Sequence, residues 1–282
     1  MRIVSLLPSA TEICFALGAA DEVAGVTFEC DYPAAARSRR TVSTTALPPG
    51  LTPAEIDAVV RARVAAGEDL YTLDAGALRE LAPDVVITQD LCAVCALNVA
   101  DVESALAYLG CTAEVVTTNP HTLAEVFASI EQIAEALNRD ATPLLDDLNH
   151  RLRQLPTPTS RRVALLEWTD PPYAPGHWLP EQVELAGGVN VLGTTGARSH
   201  PVEWEALAEA EVVIVAPCGF GVEAAYELAS GLTQLPADAE VWAVDANSYF
   251  ARPGPRLIDG IELLTTILTG HTPHPSQARR LR

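Results

Sequence analysis

The stretch HTLAEVFASIEQIAEALNRDATPLLDDLNHRLRQL, residues 121–155, holds the key to the fold. Leu123, Val126, Phe127, Ile130, Ile133, Leu137, Leu144, Leu145, Leu148 and Leu152 recur at three- and four-residue intervals, the period of a helix with one apolar face. A continuous helix here would run roughly 50 Å at about 1.5 Å per residue. Asn138-Arg139-Asp140 and Pro143 mark where it would kink or break. It ends in the linker-like Pro156-Thr157-Pro158-Thr159-Ser160.

Outward from this strut, strand-like runs alternate with helical ones. On the amino side the patterning predicts strands over 3–7, 22–27, 42–44, 84–89 and 113–117, with helices over 11–17, 53–66, 75–81 and 102–109. On the carboxyl side it predicts strands over 163–168, 212–216 and 241–245, with helices over 181–186, 203–210, 223–229 and 255–268. Such alternation makes parallel sheets covered by helices. The expected fold is therefore α/β: two parallel-sheet lobes joined by a long backbone helix, with an N-terminal lobe over 1–120, the linking helix over 121–157 and a C-terminal lobe over 158–282. Ser9-Ala10-Thr11-Glu12 reads as a capping box that opens the first helix directly after the first strand.

Composition narrows the function. A chain of 282 residues, 49% of them hydrophobic, can bury a sizeable core. A formal net charge of −19 repels phosphate backbones and anionic bilayers, so no nucleic-acid partner is expected. The basic clusters at Arg37/Arg39/Arg40, at Arg161/Arg162 and at the C-terminus read as solvated surface. No run reaches the ~18 apolar residues of a membrane span. The opening Met1-Arg2-Ile3-Val4-Ser5-Leu6-Leu7 is too short for a signal peptide, so a cytoplasmic protein is expected, or a periplasmic or cell-surface one if the true start lies upstream. Six cysteines are too few for a disulfide scaffold in a chain of this length.

In open α/β sheets, ligands bind beyond the carboxyl ends of the strands. Candidate ligand-binding residues are therefore Glu29 and Asp31, Gln89 and Asp90, Trp168 and Tyr173, and Asn247, Tyr249 and Arg252. His177 and Trp178 join them from a Pro/Gly-rich loop; the imidazole could meet a metal centre or a polar ligand group. The aromatics would wall a flat macrocycle, and Arg252 or Arg256 would meet a carboxylate or phosphate on it. Four cysteines, Cys30, Cys92, Cys95 and Cys218, fall in the same loops and form a candidate thiolate set for zinc or an iron–sulfur cluster. Cys14 and Cys111 read as buried hydrophobes. Gly-x-Ser-x-Gly, Gly-x-Gly-x-x-Gly, phosphate-loop and His-Glu-x-x-His signatures are absent, and nothing in the spacing makes Cys218 with His177 or His200 a nucleophile and base pair. A binding protein is expected, not an enzyme.

Four stretches carry a resemblance. Arg2-Ile3-Val4-Ser5-Leu6-Leu7-Pro8-Ser9-Ala10-Thr11-Glu12, Gly25-Val26-Thr27 leading to Asp31-Tyr32-Pro33, Leu81-Ala82-Pro83-Asp84-Val85-Val86-Ile87 and the turn from Arg252 to Arg256 resemble the cobalamin-binding receptors of ABC importers. These belong to the helical-backbone metal-chelate receptors, a class III periplasmic-binding-protein-like group that also includes siderophore and haem binders. The resemblance implies two rigid lobes that hold a corrinoid or related chelate in the cleft between them, and no catalytic residues. It implies that Tyr173 belongs to the corrinoid cradle and Arg252 to the cleft rim, while Glu29, Thr45 and Gln89 stand at positions where aromatics would be expected. It also implies docking on an ABC permease through one acidic residue per lobe, here Glu203 and, near Gly76, Asp74. The competing expectation is a cytoplasmic zinc or iron–sulfur carrier or sensor that uses the loop cysteines.

Overall fold

A computed structural model describes residues 1–68, 70–89, 112–156 and 159–282. The helix expected over 102–109, together with Asp90, Cys92, Cys95 and Cys111, lies outside the described residues. The chain divides into two compact units, one of Met1–Pro120 with Ala124–Asp146, the other of His121–Leu123 with Asp147–Arg282.

The first unit is built on β1 (Ile3–Ser5), β2 (Val23–Thr27), β3 (Arg40–Thr45), β4 (Tyr71–Leu73), β5 (Val85–Gln89) and β6 (Glu114–Thr118), in the order β4-β3-β2-β1-β5-β6. All neighbours are parallel except β3 and β4. Strands such as Val85–Gln89 are buried along their whole length, which is why they read as short continuous apolar runs. Val4, Leu6, Val42 and Val86 pack with Ala77 and Leu78 of the helix Ala75–Leu81. Gly25 admits Leu81 to this face, since a Cβ there would lie 2.7 Å from the Leu81 Cδ1.

Two sequence expectations change here. The first helix runs Pro8–Ala16 with Leu7 as N-cap, and Ser9 and Glu12 are buried inside it, so the box over 9–12 does not form. Proline is the reason: its fixed φ suits the first helical turn and its missing N–H is no loss there, so the helix begins at Pro8. A true capping box forms instead at Thr52, where the Glu55 amide donates to Thr52 Oγ1 and the Thr52 amide to Glu55 Oε2. These bonds from Thr52 hold the Glu55 carboxyl below its usual range.

The strut over 121–157 is two helices, Leu123–Ala136 and Thr142–Arg153. Asn138 takes the left-handed conformation, φ +53°, that ends a helix, and Arg139 N closes back on Ala134 O at 2.9 Å or less (2.8 Å). Asp140 then caps the next helix by accepting from the Thr142 amide at 2.9 Å.

The second unit has a sheet in the order β10-β7-β12-β13-β14, made of β7 (Arg162–Leu166), β10 (Val189–Asn190), β12 (Val212–Val215), β13 (Glu240–Val244) and β14 (Ala278–Arg280). β14 alone among the described strands of this sheet runs antiparallel to its neighbour. A small antiparallel sheet of β8 (Trp168–Thr169), β9 (Pro172–Ala174) and β11 (His200–Pro201) stands beyond the end of β7. The helix expected over 203–210 is only a 3₁₀ turn, Trp204–Leu207, with Leu207 its one buried residue. A single buried side chain gives no apolar face on which a longer helix could be stabilised.

Candidate functional site

Because β7, β12 and β13 are parallel, their carboxyl ends share one edge, and the loops leaving that edge gather most of the candidate residues of the second unit. Glu167, the first residue after β7, donates its amide to Tyr173 O at 3.2 Å and accepts at its own carbonyl from Cys218 N at 3.0 Å. Its carboxylate accepts from Ser199 Oγ at 2.5 Å and from Gly176 N at 3.3 Å. Trp168 and Tyr173 face one another across β8 and β9, both half-buried. The Trp168 ring meets Phe220 edge-on with centroids 5.6 Å apart. Asn247 is placed by its amide bond to Phe220 O, 3.0 Å, and its side-chain oxygen accepts from Arg252 Nη2 at 3.0 Å. Tyr249 lies under the Arg256 guanidinium, 5.9 Å from ring centroid to Cζ. Arg252, expected at the rim, is buried, and one of its guanidinium nitrogens donates to the Asn247 side chain.

His177 and Trp178 are used differently. Trp178 is buried and donates Nε1 to Phe250 O at 2.8 Å, joining this loop to the core. His177 is held at φ +52° by hydrogen bonds with Ala197 and Gly196, and its ring stacks on His121 with centroids 5.4 Å apart. Burial pushes its pKa down, and the neighbouring His121 and Arg198 push the same way. Two residues after His121, the Leu123 amide donates to Glu181 Oε2 at 2.9 Å.

The strand ends of the first unit are sparser. Tyr71 donates its hydroxyl to Glu29 at 3.2 Å, and its ring approaches Phe28 at 6.1 Å. Phe28 and Tyr32 are 41% and 46% exposed, large apolar surfaces left in solvent beside the polar Glu29. Asp31 forms an exposed pair with Arg37. Gln89, only 4% exposed at the end of β5, keeps its side-chain amide nitrogen without a partner among the described residues.

The thiolate reading finds no support. Cys30 is buried, with Sγ 3.0 Å from Thr11 Oγ1, which in turn donates to Ser5 Oγ. Cys218 is exposed and belongs to the other unit. Among the described residues, no group of three or more His, Cys, Asp or Glu is arranged to hold a metal ion. Cys14 behaves as a buried hydrophobe, its thiol pushed up to about 12 by burial.

No family model matches the chain. It is 26% identical over 277 residues to a vitamin B12-binding protein of Vibrio cholerae serotype O1, covering 95% of this chain and 88% of that one. It is 27% identical over 283 residues to an uncharacterized ABC transporter substrate-binding lipoprotein of Bacillus subtilis strain 168, covering 93% and 78%. Over most of its length the chain is thus similar to a vitamin B12-binding protein and to a substrate-binding lipoprotein of an ABC transporter. Its fold is that of a periplasmic haem-binding protein of Pseudomonas aeruginosa, with TM-score 0.68 over 100% of this chain and 95% of that one at 19% identity. These are binding proteins, so the chain is read as a binder and not as an enzyme, and the alternative of a cytoplasmic zinc or iron–sulfur carrier falls away. The cytoplasmic placement is overturned as well, because the relatives and structural neighbours are described as periplasmic proteins or lipoproteins. No helix among the described residues is long and apolar enough to cross a membrane.

Proposed function

We propose that this substrate-binding protein takes a cobalamin-type corrinoid on its strand-end loops, outside the cytoplasm, and presents it to an ABC permease. One observation carries the choice of ligand: beyond β7, β12 and β13, the partly exposed faces of Trp168, Phe220 and Tyr173 lie together, with Asn247 bonded to Phe220 O. A corrinoid is a flat apolar ring rimmed with amides, and such a ligand asks for aromatic area with a few oriented polar groups. Phe28, Tyr32 and Glu29 supply the same mixture at the strand ends of the first unit. Full-length kinship to a vitamin B12-binding protein supports this reading.

For the permease, each unit offers an exposed acidic residue. Glu203 precedes the 3₁₀ turn with no capping bond from its side chain. Asp74 is exposed but accepts from the Ala77 amide at 2.9 Å, so the contact through Glu203 is the stronger expectation.

The test is titration of the purified protein with cyanocobalamin, dicyanocobinamide and hemin, followed by ligand absorbance and tryptophan fluorescence. Saturable binding of one or both corrinoids at about micromolar Kd or tighter is expected, with hemin weaker. Flat titrations with both corrinoids would overturn the proposal.

A further inference from the structure

We infer that Glu167 is the positioning residue of the second unit's ligand-facing surface, the single group from which its strand-end loops are hung. The inference rests on the proposal that these loops take the ligand. Glu167 works through the segments it holds.

Four hydrogen bonds make the case, because together they reach three separate pieces of chain, around 173–176, at 199 and at 218. The Glu167 amide fixes Tyr173 in β9, and its carbonyl fixes Cys218 beyond β12. One carboxylate oxygen, Oε2, accepts from both Gly176 N and Ser199 Oγ. The segments carrying those donors lie in direct contact: a Cβ on Gly176 would fall 2.4 Å from Ser199 N and 2.5 Å from Ala197 O. His177 N to Ala197 O and Gly196 N to His177 O extend the same seam at 2.7 and 2.9 Å. Both donors meet at one oxygen, so this oxygen sets how the two segments meet. Trp168 follows Glu167 directly and Tyr173 lies across from it, so the aromatic wall moves with the seam. The remaining loop partners, Trp178 and Gln182, bond to the core at Phe250, Tyr249 and Leu257 and do not duplicate this junction.

The test compares Glu167→Ala, Glu167→Gln and Ser199→Ala by amide hydrogen exchange of the ligand-free protein and by cyanocobalamin titration, with the thermal midpoint as a control for folding. Glutamine can place a carbonyl oxygen where Oε2 now lies and keep both acceptor bonds; alanine cannot. In E167A, exchange over 173–178 and 196–201 is expected to rise about tenfold or more, with cyanocobalamin affinity falling by about the same factor, while 217–220, held by the backbone carbonyl that alanine keeps, should change little. E167Q should stay within about threefold of the parent, and S199A should loosen 196–201 alone. If E167A unfolds as a whole, the contrast between S199A and the parent over 196–201 decides. Unchanged exchange in E167A and S199A, or an E167Q as loose as E167A, would overturn the inference. Should the exchange contrast appear while the parent binds no corrinoid, the functional proposal fails and the structural role of Glu167 stands.

Discussion

The strand ends of the second unit are tied to one another before any ligand arrives, whereas those of the first unit reach further into solvent. Glu167 joins three segments, Trp178 is bonded to Phe250 O, and Asn247 is set by both Phe220 and Arg252. In the first unit, Phe28 and Tyr32 are 41% and 46% exposed, and the Tyr71 hydroxyl donates to Glu29. Ordering side chains on binding takes about 0.5–1.5 kcal/mol for each one immobilised. The second unit has already met that cost in folding, so its strand-end loops should change less on ligand binding than those of the first unit.

The sharpest way to break this contrast is to strain the seam itself. Gly193 has φ +80°, and a Cβ there would lie 2.0 Å from Pro175 O. Gly193→Ala should destabilise by about 3 kcal/mol or more, because the clash is with backbone and adds to the left-handed strain. Gly50 in the first unit has the same φ with nothing within 4 Å, so Gly50→Ala should cost only about 1 kcal/mol. Denaturant midpoints of the two variants measure the difference.

A smaller effect is expected from single hydrogen bonds. Trp178→Phe leaves a buried carbonyl without its donor and should cost about 1–2 kcal/mol, while Tyr71→Phe, at a half-buried site, should cost about 0.5 kcal/mol. Equal losses would erase the distinction between a knitted and a loose surface. On ligand affinity, Trp168→Ala should weaken cyanocobalamin binding about tenfold and Phe28→Ala about threefold, since a pre-ordered ring gives more net affinity than a mobile one.

The least effect is the pH dependence of His177. Its folded pKa is depressed below the ordinary imidazole value of 6.5, so the fold prefers the neutral ring. That preference is fully expressed above about pH 6.5 and is lost as pH falls toward the folded value, where the imidazolium faces His121 and Arg198. Thermal midpoints from pH 7.5 to 5 should therefore fall more steeply for the parent than for His177→Asn, which tolerates the left-handed backbone and does not titrate. Parallel curves would remove His177 from the account.

Much of the fold could be read from the sequence because the strands are short buried runs and the strut has a clean helical period, including its weak point at Asn138. The capping box over 9–12 was misplaced because Pro8 competes for the helix start. β8, β9 and β11 are two- and three-residue strands with no periodicity to detect. The candidate site divides along the same line. Trp168, Tyr173, Asn247 and Arg252 were visible because they follow core strands, but the partners of Glu167 lie up to 51 residues away, and Ser199 has no sequence mark at all. His121 gave no signal that it would meet His177. The thiolate set looked coherent only because loop positions were counted without regard to side-chain direction, and Cys30 turns inward.

Amide hydrogen exchange with and without cyanocobalamin tests the central claim most directly, because it reports where the ligand sits without presupposing any residue. Protection is expected over 168–178, 217–220 and 247–252, with a larger gain over 28–32, where Phe28 and Tyr32 are exposed. Protection concentrated instead at the opposite edge of the second sheet, around 161–162 and 236–240, or bound corrinoid with no protection at either set of strand ends, would contradict the account.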